Sequence, residues 1–112
     1  MSTRGFILAA PASGTGKTVA ASLLLAAFRQ RGVAVSGFKT GPDYIDPGFL
    51  AAGAGRIAPN IDPWGMRTET QQSVLASIAD SANLIIGEGV MGLFDGARDG
   101  TGSTADLAQA LN

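Results

Sequence analysis

Residues 5–18 read "GFILAAPASGTGKT". An apolar run of strand length, Gly5–Ala10, gives way after Pro11 to a glycine-bearing turn, Ser13–Thr18, that ends in Gly-Lys-Thr. A continuous apolar run, in place of an alternating one, is what a strand covered on both faces requires. Lys17–Arg31 then places Val19, Leu23, Leu24, Leu25, Ala27 and Phe28 at helical spacing, with Gly32 where a C-terminal cap belongs. Strand, glycine loop and helix in this order form a phosphate loop. Its glycines let successive N–H groups turn towards an anion, and the helix N-terminus adds the positive end of its dipole. Ser13, Gly14, Thr15, Gly16, Lys17 and Thr18 are therefore the expected ATP-binding residues. Lys17 is expected on the β- and γ-phosphates, and the Thr18 hydroxyl on Mg2+. Pro11 stands where the usual pattern has its first glycine, so the motif rests on its placement as much as on its letters.

The rest of the chain continues the alternation. Val33–Phe38 reads as a second strand, and "GFLAAGA" after Pro47 as a short helix. Thr68–Gln71, "TETQ", fits a capping box opening a helix to about Ser81, with Val74, Leu75 and Ile78 facing inward. Asn83–Gly87 reads as a third buried strand, and Ser103–Asp106 caps a last helix. Such an order predicts an α/β P-loop NTPase: a parallel sheet with helices on both faces. Ligands of these sheets bind beyond the carboxyl ends of the strands. The loops at those ends, "PASGTGKT", "KTGPDYIDPG" and "EGVMGLFDGARDGTG", are the most glycine-rich and acid-bearing stretches of the chain.

Phosphoryl transfer needs a metal and groups to hold it besides Thr18. Asp43 and Glu88 are the expected metal ligands, directly or through water. Asp46 is placed to orient a substrate group or a second metal, and Lys39 to stabilise a migrating phosphoryl group. The bland readings are that Asp43 caps a turn, that Asp46 caps the short helix near Pro47, and that Lys39 is a surface lysine. Tyr44 and Trp64 either line a flat organic substrate or act as packing anchors. Met91, Leu93 and Phe94 form either core or a wall against a large apolar ligand.

Composition narrows the chemistry. The 112 residues suit one small domain, 46% hydrophobic and 15% charged. Formal net charge is −1 with no basic run, so nucleic acid is not an expected partner. Cysteine and histidine are both absent, which removes disulfides, thiol nucleophiles and the commonest zinc ligands. Oxygen ligands remain, and these suit a hard ion such as Mg2+. "MSTRGFILAAPAS" superficially imitates a signal peptide but reads better as a buried strand feeding a loop. No segment approaches membrane-spanning length, so no membrane role is expected and a cytoplasmic location is the default.

"APASGTGKT", "FKTGPDYIDPGF", "NIDPW", "EGVMGLFDG" and "GSTADLA" occur in this order. Together they resemble the cobyrinate (hydrogenobyrinate) a,c-diamide synthase family of dethiobiotin-synthetase-like P-loop proteins, from about Phe6 to Leu111. The resemblance implies ATP- and Mg2+-dependent amidation of two peripheral carboxylates of a corrinoid. Each carboxylate becomes an acyl phosphate, and ammonia released from glutamine by a second domain displaces phosphate. It implies synthetase-site roles for Asp43, Asp46 and Glu88 towards metal and substrate. Ile61 stands where leucine is usual in "NIDPW". The resemblance further implies that residues 1–112 are a truncated, N-terminal portion of a synthetase domain. The cysteine- and histidine-bearing glutaminase domain would lie outside this chain, which is expected to be inactive alone. Homodimer formation stays open. Two rival readings are a diamide synthase for another tetrapyrrole, such as nickel-sirohydrochlorin, and a partitioning ATPase. The latter carries an extra lysine early in the phosphate loop, where this chain has Ala12.

Overall fold

The computed structural model describes residues 3–9, 16–43 and 45–89. In chain order these form β1 (Arg4–Leu8), α1 (Lys17–Gln30), β2 (Val35–Thr40), α2 (Asp46–Ala54), β3 (Asn60–Ile61), α3 (Thr68–Ala79) and β4 (Leu84–Glu88). The strands make one sheet in the order β1-β4-β2-β3, and every pairing is parallel. The expected α/β architecture with helices on both faces is the one observed. The helix expected from Ser103 lies outside the described residues.

Side chains alternate across the sheet, and each face recruits its own helices. Val35 and Ile86 pack with Ala21 and Leu25 of α1, Leu50 and Ala54 of α2, and Ala58. Phe38, Ile61 and Ile85 point the other way, against Val74, Leu75, Ile78 and Ala79 around α3. The inward set expected for α3 is thus the one observed. Leu25, Leu50 and Ile86 are fully buried, each contributing about 1.5–3 kcal/mol by leaving water.

Several expectations are corrected. β1 was expected to be buried on both faces, yet its first three residues are exposed and Phe6 keeps 44% of its surface. Its position explains this: among the described residues β1 lies at one end of the strand order and pairs only with β4. All six residues of β2, between β4 and β3, are buried. The second strand runs two residues beyond the expected Phe38, through Thr40, which carries Lys39 inside the sheet. β3 was not anticipated, because two residues are too short for a periodic signal.

On α1 the buried residues are Ala21 and Leu25, while Val19 and Leu23 are each 64% exposed. The apolar triplet at 23–25 hides which face turns inward, and packing against α2 decides it. A Cβ at Gly53 of α2 would lie 2.6 Å from the Ser22 carbonyl oxygen, so the two helices touch along that line. Gly32 does end α1, at φ 82°. Its N–H donates to the Arg29 carbonyl and that of Val33 to the Phe28 carbonyl, the paired bonds of a Schellman turn.

The capping box at Thr68 does not form. Arg67 is the N-cap, with no side-chain capping bond. The Gln71 side-chain amide donates instead to the Met66 carbonyl at 2.9 Å, one turn back from its own position. That bond matters because Gln71 is buried.

Candidate functional site

The parallel register sets Lys39 of β2 beside Glu88 of β4. Both follow the alternation of Val35 and Ile86 and therefore face α1 and α2, at the carboxyl end of the sheet. α1 begins there with Lys17 and Thr18, and α2 begins there with Asp46. Four elements thus deliver charged or hydroxyl groups to one place.

Lys39 is the centre. Its Nζ donates to Asp46 Oδ2 at 2.8 Å, to Glu88 Oε1 at 3.1 Å and to the Gly89 carbonyl at 3.3 Å. Asp43 Oδ2 lies 3.8 Å away. The Lys39 side chain is 5% exposed and that of Glu88 1%. The surface-lysine reading is therefore wrong, because β2 extends far enough to bury the residue. Burial alone would lower the Lys39 pKa, but the hydrogen bond to Asp46 and the charge and hydrogen bond of Glu88 outweigh it. The net effect holds the ammonium above its usual range.

Thr18 donates its hydroxyl to the same Glu88 Oε1 at 2.5 Å. The other oxygen, Oε2, is buried with no hydrogen-bond partner among the described residues. Buried carboxylate oxygens are rarely left unpaired, since desolvation is then uncompensated. The Glu88 carboxylate and the Thr18 hydroxyl bonded to its Oε1 offer oxygen donors, the kind that suit a hard ion such as Mg2+, and the Lys39 ammonium shares that Oε1. Thr18 and Glu88 are thus brought together, while Asp43 lies on the far side of Lys39. Among the described residues no three acidic side chains form a ready metal cage. Lys39 stands between Glu88 and the two aspartates.

Asp43 is engaged chiefly with backbone. Its Oδ1 accepts from the amides of Ile45 at 2.8 Å and Asp46 at 3.0 Å, closing the turn into α2. Burial works against its charged form, but the amides of Ile45 and Asp46 and the nearby Lys39 hold its carboxyl below the usual range. Asp46 is the first residue of α2 and Ile45 its N-cap, so Asp46 gives its carboxylate to Lys39 and does not cap the helix.

Asn60 of β3 was missed by the sequence reading. Its side-chain oxygen accepts from the Asp43 N–H at 3.3 Å and ties the acidic loop to the neighbouring strand. "NIDPW" could have flagged it only with β3 in view. Trp64 follows β3 in a turn closed by its N–H to Asp62 Oδ1 at 2.9 Å, and its surface is 40% exposed. Lys17 is half-buried at the start of α1, after Gly16 at φ 79°. Ser13, Gly14, Thr15, Tyr44, Met91, Leu93 and Phe94 lie outside the described residues. No helix among the described residues is long and apolar enough to cross a membrane.

Comparison with known proteins adds the context of this geometry. The chain is 50% identical over 110 residues to a hydrogenobyrinate a,c-diamide synthase of Brucella anthropi, covering 97% of this chain and 25% of that protein. It is 50% identical over 107 residues to the enzyme of that name from Rhizobium meliloti, covering 96% of this chain and 25% of the other. A third, from Agrobacterium fabrum, is 48% identical over 112 residues, covering 97% and 26% respectively. The chain thus spans about a quarter of the length of the curated relatives it matches. Residues 6–112 match the model of the CobQ/CobB/MinD/ParA nucleotide binding domain. That match takes in β1 from Phe6 onward, Lys17 and Thr18 at the head of α1, and the parallel strands that carry Lys39 and Glu88. The chain belongs to the CobQ/CobB/MinD/ParA nucleotide-binding domain family.

Proposed function

We propose that the whole protein carrying this chain amidates the a- and c-carboxylates of hydrogenobyrinate, or of its cobalt counterpart cobyrinate, at the expense of ATP. The observation that carries the reading is the identity of about half of all positions with hydrogenobyrinate a,c-diamide synthases along nearly the entire chain. The family model also spans partitioning-type proteins, but these relatives point to the amidating branch.

In this reading a substrate carboxylate oxygen attacks the γ-phosphorus of ATP, giving an acyl phosphate and ADP. Ammonia, released from glutamine by a domain outside this chain, then adds to the acyl carbon and expels inorganic phosphate, leaving the amide. Lys17, with Ser13 to Gly16, holds the phosphates. Lys39 lies at the carboxyl end of β2, hydrogen-bonded to Asp46 and Glu88, where its charge can meet the transferring phosphoryl group. Asp46, with Tyr44 and Trp64, orients the corrinoid. Mg2+ would be held by Thr18 and Glu88, with Asp43 nearby, and would neutralise phosphate charge. The unpaired Oε2 of Glu88 supports that assignment. Cytoplasmic location and homodimer formation belong to the same proposal.

The test uses the full-length protein with hydrogenobyrinate, cobyrinate, ATP, Mg2+ and glutamine, followed by mass spectrometry. Diamide formed from either corrinoid, and its loss in Lys17→Ala, is the expected result. ATP turnover without amidation of either substrate would overturn the reading.

A further inference from the structure

We infer that Lys39 is a resident cation of the metal site: it occupies Glu88 in the nucleotide-free protein and must yield there before a divalent metal is bound tightly. This rests on the reading of Thr18 and Glu88 as metal ligands given above.

Glu88 divides its two oxygens unequally. Oε1 accepts from both the Thr18 hydroxyl and Lys39 Nζ, whereas buried Oε2 accepts from none of the described residues. A metal reaching Oε2 would bring its charge beside an ammonium only 3.1 Å from the partner oxygen. Two cations on the two oxygens of one poorly solvated carboxylate repel, so occupancy by one disfavours the other. Lys39 has somewhere to go. Its shorter bond is to Asp46 at 2.8 Å, with Asp43 Oδ2 at 3.8 Å on the same side. Withdrawing from Glu88 leaves it ion-paired at the head of α2. There it faces the acidic loop, where the substrate carboxylate is to be phosphorylated.

The consequence is an order of events. Without nucleotide the carboxylate keeps Lys39 and metal binds weakly. Phosphates at Lys17 supply the negative charge that draws the metal in, and Lys39 moves towards Asp46. The arrangement protects a buried carboxylate from being uncompensated while the site is empty.

The experiment is a nucleotide-free Mn2+ titration of the full-length protein by electron paramagnetic resonance, with binding of a fluorescent ATP analogue measured in parallel. Glu88→Gln identifies which part of the Mn2+ signal belongs to this site. Lys39→Met should bind Mn2+ there about tenfold more tightly than wild type, the equivalent of one charged hydrogen bond. Asp46→Asn, which removes the refuge of Lys39, should weaken binding at that site, and its more exposed carboxylate makes it the safer variant to fold. Unchanged or weaker Mn2+ binding in folded Lys39→Met overturns the inference. Should that variant be unfolded by circular dichroism, unchanged or tighter binding in Asp46→Asn does so. Failure of the ATP analogue to bind wild type would instead sink the nucleotide assignment itself.

Discussion

Lys39 and Thr40 are neighbours on β2, yet they end on opposite faces of the sheet and meet opposite chemistry. Towards α1 and α2, Lys39 joins Glu88, Thr18 and Asp46 in bonds that tie four strand and helix ends together. Towards α3 the same level of the sheet is apolar and crowded: Phe38 and Ile85 pack with the helix, and Gly87 leaves no room beyond hydrogen because the Phe38 ring covers it. Thr40 is fully buried there, with no hydrogen-bond partner for its hydroxyl among the described residues. One face pairs its buried charges with each other; the other, among the described residues, buries only the neutral polar side chains of Ser36, Thr40 and Gln71. A change on the α3 side should therefore register in stability alone, and one on the α1–α2 side in both stability and chemistry.

The hardest blow to this contrast is Lys39→Ala. It strands Glu88 without its buried cation and should cost about 3–5 kcal/mol in urea unfolding, the usual penalty for halving a buried ion pair. Unfolding no earlier than wild type would mean that the cluster is not held by charge. Next comes Glu88→Gln. Amidation should fall on the order of 100-fold, about 2.7 kcal/mol in the barrier, with a change in Mg2+ dependence and a smaller loss of melting temperature. Parallel losses of activity and stability would return Glu88 to a structural role.

On the other face, Gly87→Ala should destabilise by about 1–3 kcal/mol through overpacking against Phe38, while the folded fraction binds ATP normally. Weakened ATP binding there would erase the separation of the two faces. The smallest effect is in the acid limb. Asp43 is held below its usual 3.8 in the folded protein, so its stabilisation is present above that pH and fades as pH falls through the folded value. Lys39, held above its usual 10.5, contributes below that pH and loses its share as pH rises further. Asp43→Asn should flatten the acid limb of a stability–pH curve and leave the alkaline limb as it was. An unaltered acid limb would show that the amides of Ile45 and Asp46 do not favour the charged form.

The phosphate loop's placement, the parallel alternation and the α3 inward face were legible because each depends on a run of residues with one period. What escaped depends on neighbours far along the chain. β1 and β2 are both apolar in sequence, and only strand order separates the exposed Phe6 from the buried Phe38. The Leu23–Leu24–Leu25 triplet of α1 supports more than one inward face, and Gly53 of α2 selects among them. Lys39 looked like the end of a strand, since nothing local says that β4 would place a carboxylate beside it. Asn60 became visible as a tether only once β3 paired with β2.

The strand order carries a consequence for how the protein comes into being. β4 sits between β1 and β2, so β1 pairs with nothing that precedes it or closely follows it in the chain. Emerging from the ribosome, Arg4–Leu8 must wait until Leu84–Glu88 has been made before its backbone finds a partner. α1, β2 and α2 can assemble in the meantime, because their contacts are local. Insertion of β4 then joins β1 to β2 and also delivers Glu88 to Lys39. Pairing of β1 and arrival of Glu88 beside Lys39 thus depend on the same strand, and a chain stalled before residue 84 would present β1 without β4 as its partner.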